Sequence, residues 1–528
     1  MQEIKLLDCT LRDGGFVNDW NFGKNSILTI FSRLNNANID IIEIGFLDGR
    51  VETNFDRTIN PKTSDFDKLF SGVKNKKAFV AAMVDYGTCD IDNIKPSPFI
   101  DGIRVIFKKK DMDNALSFCK QIKDKGFKVF VQPVSITSYS DKEMLGLVEK
   151  VNKLYPFSMA IVDTYGLMHK DNMIKYFHLI DENLNKDITV GYHSHNNFQL
   201  AYSNSIELLG INTGRSITID GSLYGMGKGA GNANTELLAM RMNDNFGKNY
   251  DIDELLEAID VEIVKLTKKF SWGYSLSHFL AASNDCHPDY VKYLRGKNTL
   301  SVKCINNILN SIEEAKKLTF DKKYIDDLYL EYQKQTIDDT KEYNKLKSEL
   351  AAKNILLLGP GHSIVKQKDK ILDYIEKYKP VIFSVNYVPD MYKPDYVFVS
   401  NEKRYGRYMS TLTDNDNSFK IIATSNLTPI NNEFDFILNY GKLLNSNDLI
   451  KTDSLGMLLN ALRNLAVKNV SLAGFDGFST NDENYFDTYM EFAESNIDEA
   501  LLNEAISKQL AEFKKIINLK FVTDTLYQ

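Results

Sequence analysis

Short β-branched apolar runs recur along the first half of the chain, at Ile4–Asp8, Asp40–Gly45, Lys77–Val84, Gly102–Phe107, Lys128–Pro133, Met159–Asp163, Ile188–His193 and Ser216–Asp220. Between them lie segments with apolar positions at helical spacing, among them Asn25–Asn36, Met112–Lys125, Lys142–Leu154, Asn172–Asn183 and Asn197–Leu209. Alternation of strand and helix predicts parallel βαβ units. A run of them filling the first ~240 residues matches the size of a (β/α)8 barrel. A doubly wound sheet is the alternative, because periodicity does not separate a closed sheet from an open one.

The pattern changes after Asn245. Asp253–Lys268 is amphipathic, and Ser311–Lys353 is dense in Lys, Glu, Asp and Tyr with neither Gly nor Pro, which predicts solvated helices. A second βαβ pattern starts at Asn354-Ile-Leu-Leu-Leu-Gly-Pro-Gly-His-Ser. It continues through strand-like runs at Val381–Val385, Tyr396–Val399, Phe419–Ala423 and Val470–Ala473, with helices expected around Lys366–Lys377 and Ser454–Ala466. The expected organisation is therefore α/β: an N-terminal (β/α)8 barrel over 1–290, a helical cover or linker over 291–352, and a Rossmann-like domain over 353–528.

Composition narrows the function classes. The 528 residues are 43% hydrophobic and 26% charged, which predicts well-cored globular domains rather than a disordered chain. With 64 basic and 71 acidic side chains mixed along the sequence, there is no extended basic surface for nucleic acid. No apolar run is long enough to span a bilayer, and the N-terminus lacks the pattern of a signal peptide. The five cysteines are scattered and odd in number, which suits a reducing compartment. The expectation is a soluble cytoplasmic protein, with homo-oligomerisation left open.

The candidate chemistry sits at strand ends, where a barrel displays its catalytic groups. The first run ends in Asp8-Cys-Thr-Leu-Arg12-Asp13-Gly-Gly, a tight loop that presents Arg12 and Asp13. The seventh ends in His193-Ser-His195-Asn-Asn; residues at i and i+2 share a strand face, so two of the chain's seven histidines reach one point. With Asp13 they form a two-histidine, one-carboxylate set with coordination positions left open, suited to Mn²⁺, Mg²⁺, Co²⁺ or Zn²⁺, among which ligand type alone does not choose. After the eighth run comes a glycine-rich loop, Gly225-Met-Gly-Lys-Gly-Ala-Gly231-Asn232, whose N–H groups can approach a substrate. Its position argues against a dinucleotide loop, which belongs after a first strand.

Asp8-x-Thr-Leu-Arg-Asp-Gly, Ile42-Glu43-Ile-Gly45, Val162-Asp163-Thr-x-Gly166, Gly191-x-His193-x-His195-Asn-Asn and Gly225-x-Gly-x-Gly-x-Gly231-Asn232-Ala resemble, in order, the motifs of the DRE-TIM metallolyases, the superfamily that includes HMG-CoA lyase. Within it the resemblance is closest to the 4-hydroxy-2-oxovalerate aldolases, over about residues 1–300. It implies a class II-type pyruvate aldolase or lyase that breaks or forms a carbon–carbon bond through a pyruvate enolate. Asp13, His193 and His195 would be metal ligands. Arg12 would face the enolate with Glu43 orienting it, and Arg12, Asp163 and Asn232 would hold the 2-oxo acid. In the lyase branch Asn232 is itself a ligand. Tyr274, in Trp272-Gly-Tyr-Ser, matches an acid/base-assisting tyrosine of the aldolases. The histidine that those aldolases use as base, a few residues beyond Arg-Asp-Gly, is replaced here by the stretch Gly15-Phe16-Val17-Asn18, so His278, Tyr274 or a metal-bound water would have to move the proton.

The C-terminal segment carries Gly359-Pro-Gly361-His-Ser363, Ser384-Val-Asn386, Ser400-Asn401 and Ala473-Gly-Phe-Asp476. These resemble Rossmann-like hydroxymethylpterin pyrophosphokinase-like and sialyltransferase domains, which implies a nucleotide near Gly359, Gly361, Ser363, Asn386, Asn401 and Asp476. Two further readings stand beside the aldolase: a nucleotide- or nucleotide-sugar-dependent transferase with an accessory barrel, and an inactive barrel serving as a scaffold.

Overall fold

In the computed structural model the described residues are 3–297, 299–317, 319–334, 337–412, 418–429, 433–479, 484–487, 490 and 498–527. They fall into two compact units, Met1–Pro288 and Asp289–Gln528, so the stretch 291–352 belongs with the second.

The first unit is built on strands β1 (Ile4–Asp8), β2 (Ile41–Leu47), β3 (Phe79–Asp85), β4 (Gly102–Phe107), β5 (Lys128–Pro133), β6 (Ser158–Asp163), β7 (Thr189–Ser194) and β8 (Ile217–Gly221). Each pairs in parallel with the next, and β8 pairs back to β1, which closes the sheet into a (β/α)8 barrel. The sequence-predicted strands coincide with these to within a few residues, and closure decides against the doubly wound alternative. A two-residue strand, Ile59–Asn60, adds on to β2.

Helix formation follows local chemistry. Asp141–Leu154 begins at a capping box, Ser140 with Glu143, and buries Met144, Leu147, Val148 and Val151 at helical spacing against the barrel. The segment expected to be helical from Asn197 starts only at Ala201. Asn196 and Asn197 spend their side chains on backbone N–H groups instead, and Gln199 is left-handed. The amphipathic run 253–268 forms helix Ile252–Ala258, a π turn at Ile259–Ile263 and a last turn at Val264–Thr267.

In the second unit, helices including Val302–Asn310, Lys322–Gln333 and Thr340–Leu350 precede an open, fully parallel sheet. Its strands are β9 (Asn354–Leu358), β10 (Val381–Val385), β11 (Tyr396–Val399), β12 (Lys420–Thr424), β13 (Phe436–Leu438), β14 (Asn469–Ala473) and β15 (Asn518–Phe521), in the order β13-β12-β11-β10-β9-β14-β15. The order reverses between β9 and β14, which creates a crevice at their carboxyl ends. No helix among the described residues is long and apolar enough to cross a membrane.

Candidate active site

At the carboxyl end of the barrel, ligand-type atoms of Asp13, His193 and His195 lie within 4.8 Å of one another, and all three residues are buried. Asp13 follows β1 in the turn where its N–H donates to Cys9 O at 2.7 Å, while His193 lies in β7 and His195 directly after it, their rings 5.1 Å apart. The glycine-rich loop closes over them. An antiparallel bridge joins His195 to Asn232, and Asn196 N–H donates to Gly231 O at 2.8 Å. Gly231 is required there: it holds φ +82°, and a Cβ would collide with Gly225 O.

The electrostatics prepare the cluster for a cation. Burial by itself raises the Asp13 carboxyl, but Arg12 and the two imidazoles outweigh it and hold Asp13 well below the usual carboxylate range. Burial pushes His195 down to about 3, so its ring is neutral and keeps a lone pair to donate. His193 Nδ1 sits 3.0 Å from Asp220 Oδ2, which places a carboxylate directly behind the ring. Asn232 Nδ2 donates to Asp13 Oδ2 at 2.8 Å, while its Oδ1 is buried with no hydrogen-bond partner. An orphaned buried amide oxygen beside two imidazoles and a carboxylate fits a divalent cation.

Behind the cluster runs a chain of buried charges. Glu43 Oε2 accepts from Arg12 Nε at 2.7 Å and from Arg104 Nη1 at 2.9 Å. Arg104 also bonds Asp220, and Arg12 bonds Asp13. The sequence Asp13–Arg12–Glu43–Arg104–Asp220–His193 thus begins and ends on a cluster residue. Glu43, Arg104 and Asp220 come from β2, β4 and β8, alternate strands of the kind that fill one interior layer of a barrel. The sequence reading missed Arg104 and did not assign Asp220. The available signal was the pair of charged residues inside otherwise apolar runs, Gly-Ile-Arg104-Val-Ile-Phe and Ile-Thr-Ile-Asp220-Gly, since a buried charge needs a partner.

An aromatic wall flanks Arg12. Trp20 Nε1 donates to Arg12 O at 2.7 Å, Phe46 lies 5.7 Å from the guanidinium carbon, and Phe16 packs edge-on to both rings. Phe16 lies in the Gly15–Asn18 stretch that follows Arg12-Asp13. The Lys228 ammonium stands 5.5 Å from the Phe16 ring centre.

Of the other expected site residues, Asp163 lies at the end of β6, where its carboxylate accepts from Leu167 N and Met168 N, both at 3.0 Å, and thereby shapes a loop. Tyr274 is 61% exposed, and the His278 ring points Nδ1 at Gly273 O, 3.3 Å away. Among the described residues no hydrogen bond or ion pair joins either to the Arg12–Asp13 cluster. In the second unit Gly361, Asn386, Asn401 and Asp476 share one cleft, whereas Ser363 donates its N–H to Asp476 Oδ2 at 2.7 Å and its hydroxyl to the other oxygen.

A closed (β/α)8 barrel with two histidines and an aspartate gathered at its carboxyl end defines a class of barrels built to hold a divalent metal. Residues 3–261 match the HMGL-like family model, and the barrel is an HMGL-like domain of the DRE-TIM superfamily. It is similar to a 4-hydroxy-2-oxovalerate aldolase of Pelotomaculum thermopropionicum, 26% identical over 263 residues, which are 49% of this chain and 76% of that protein. An oxaloacetate decarboxylase of Mycobacterium tuberculosis is 23% identical over 261 residues, 49% of this chain and 75% of its own length. Among solved structures, the HMG-CoA lyase of Bacillus subtilis aligns over 51% of this chain and 95% of its own at 17% identity, with a TM-score of 0.41.

Proposed function

We propose that the barrel is a metal-dependent carbon–carbon lyase or aldolase acting on a 2-oxo acid, through an enolate of the pyruvate type. The reading rests on one observation above the others: Asp13, His193 and His195 converge beside a buried guanidinium held in place by other charges. Asp13, His193 and His195 would hold the cation, with Asn232 Oδ1 a further donor. A bound divalent ion, Mn²⁺ first among those that suit the set, would supply Lewis-acid stabilisation of charge on the substrate's carboxylate and keto oxygens.

The chain's own residues supply the rest. Arg12 stays charged: burial opposes its protonated form, but Glu43 and Asp13 more than offset it. Its Nη2 is buried with no hydrogen-bond partner, a donor available to an oxyanion that gains charge during reaction. Glu43 holds the guanidinium plane, and the Phe16–Trp20–Phe46 wall excludes water from its apolar side. Lys228 adds a second positive charge for an anionic substrate. With phenylalanine at position 16, the proton at the substrate carbon moves through another group. Tyr274 and His278 serve if the segment carrying them closes over the site, and water serves otherwise.

The decisive measurement is exchange of the pyruvate C3 protons with deuterium, followed by NMR. Exchange should stop with EDTA, return with Mn²⁺, and be lost in His193→Ala. Exchange that ignores chelation would overturn the proposal and favour a scaffold.

A further inference from the structure

The crevice where the second sheet reverses order is lined from several strand ends, and it is not shaped for phosphate. Two helices begin there, and this chain's own carboxylates already occupy both N-termini. Asp476 takes the N–H and hydroxyl of Ser363, and Asp453 caps Ser454–Asn464, accepting from Gly456 N at 2.8 Å. A phosphate at either end would meet a carboxylate where it needs free N–H donors. The glycines of Gly359-Pro-Gly361 serve chain packing. Gly359 N donates to Ala473 O and Gly361 N to Gly474 O, both at 2.8 Å, and a Cβ on Gly361 would strike Gly474 O and Asp476.

What remains is a cavity of about 160 Å³ bounded by Asp453, Asp476, Asn401 and Arg404 with the rings of Phe475 and Tyr527. A volume of roughly 150 Å³ holds one six-membered ring, and the crevice is open to solvent, so a group carried by the ring can extend outward. Carboxylates and amides pair with hydroxyl groups, and aromatic faces pack against a ring's C–H face. Asn386 is locked on the same rim at φ +60°, with Ser400 N donating to its Oδ1 at 2.9 Å and its own amide donating to Ser454 Oγ at 2.6 Å.

We propose that this crevice binds a single neutral polyhydroxylated ring, a furanose or pyranose, through its hydroxyl groups, with Asp453 as the principal acceptor and no phosphate at the Gly359–Gly361 turn. The ring can be a free sugar or the ribose of a nucleoside, and the barrel's chemistry plays no part in the argument.

The test is calorimetry and saturation-transfer NMR on the full chain with uridine, 2′,3′-dideoxyuridine, methyl α-glucopyranoside and inorganic pyrophosphate. Uridine or the glucoside should bind, and whichever does names the source of the ring. Pyrophosphate should neither bind nor compete. If uridine is the ligand, the dideoxy compound should bind about tenfold more weakly, the loss of hydrogen bonds to a charged acceptor. Asp453→Asn keeps the helix cap, because asparagine caps as well as aspartate, and should weaken the bound ring about tenfold while leaving the protein folded and the barrel's pyruvate exchange unchanged. Three results would each overturn the proposal: no ring compound binding at millimolar concentration, pyrophosphate binding in the crevice, or full affinity in a folded Asp453→Asn protein.

Discussion

Both units gather polar side chains at the carboxyl ends of parallel strands, and they use them in opposite ways. In the barrel, buried charges satisfy one another through Arg12, Glu43, Arg104 and Asp220, and the atoms left over point at one centre. In the open sheet, Asp453, Asp476 and Asn386 satisfy backbone N–H groups and neighbouring hydroxyls. The first arrangement focuses charge on a small site. The second spends much of its charge on local structure and leaves a ring-sized space with Asp453, Asp476 and Arg404 on its wall. The same position in two parallel sheets therefore predicts a ligand in each and different chemistry for each.

The contrast breaks most sharply at the cluster itself. Asp13→Ala should weaken Mn²⁺ binding more than about 100-fold, beyond what loss of a supporting residue costs, as measured by calorimetry or electron paramagnetic resonance. Arg104→Met comes next. It leaves Glu43 without one of its two partners and removes the cation beside Asp220, so it should cost about 3–5 kcal/mol of stability in urea and about 10–100-fold in Mn²⁺ affinity. A stable Arg104→Met protein with full metal affinity would show that the charge chain does not support the site. In the second unit Asn386→Ala removes two hydrogen bonds from a left-handed residue and should cost about 1–2 kcal/mol, with no change in Mn²⁺ binding.

A further expected effect is one of sign. Burial raises Asp453 from 3.8 to about 6, so the folded state holds that proton more tightly than the unfolded chain. Its contribution to stability is full below pH 3.8 and is lost as pH rises through about 6. His195 runs the other way: burial lowers it from 6.5 to about 3, and its contribution is present above pH 6.5 and lost as pH falls toward 3. The stability difference between wild type and Asp453→Asn, followed from pH 4 to 7, should shift against the wild type as pH rises. The difference for His195→Gln should shift in its favour.

The barrel was legible in the sequence because its strands are buried on both faces and read as continuous apolar runs, with β2 buried throughout. In the second sheet β13 and β15 went unseen. Phe436–Leu438 spans three residues, and Asn518–Phe521 alternates polar Asn518 and Lys520 with apolar Leu519 and Phe521 on an outer strand, so neither gives a strong run. The cluster residues stood out because Arg12-Asp13 and His193-x-His195 are local in sequence. Arg104 did not, since its partners lie 61 and 116 residues away and only the closed barrel brings them together. Ser363 and Asp476 were legible as polar residues at strand ends, but their engagement with each other, 113 residues apart, is a tertiary fact.

The backbone bridge between His195 and Asn232 ties the glycine-rich loop to the strand end that bears both of the cluster's imidazoles. Swinging that loop outward therefore means pulling on His195, so capture or release of an ion and ordering of the loop become one event. Metal exchange in this barrel would then be slow, timed by the opening of a protein segment rather than by the exchange of ligands in water.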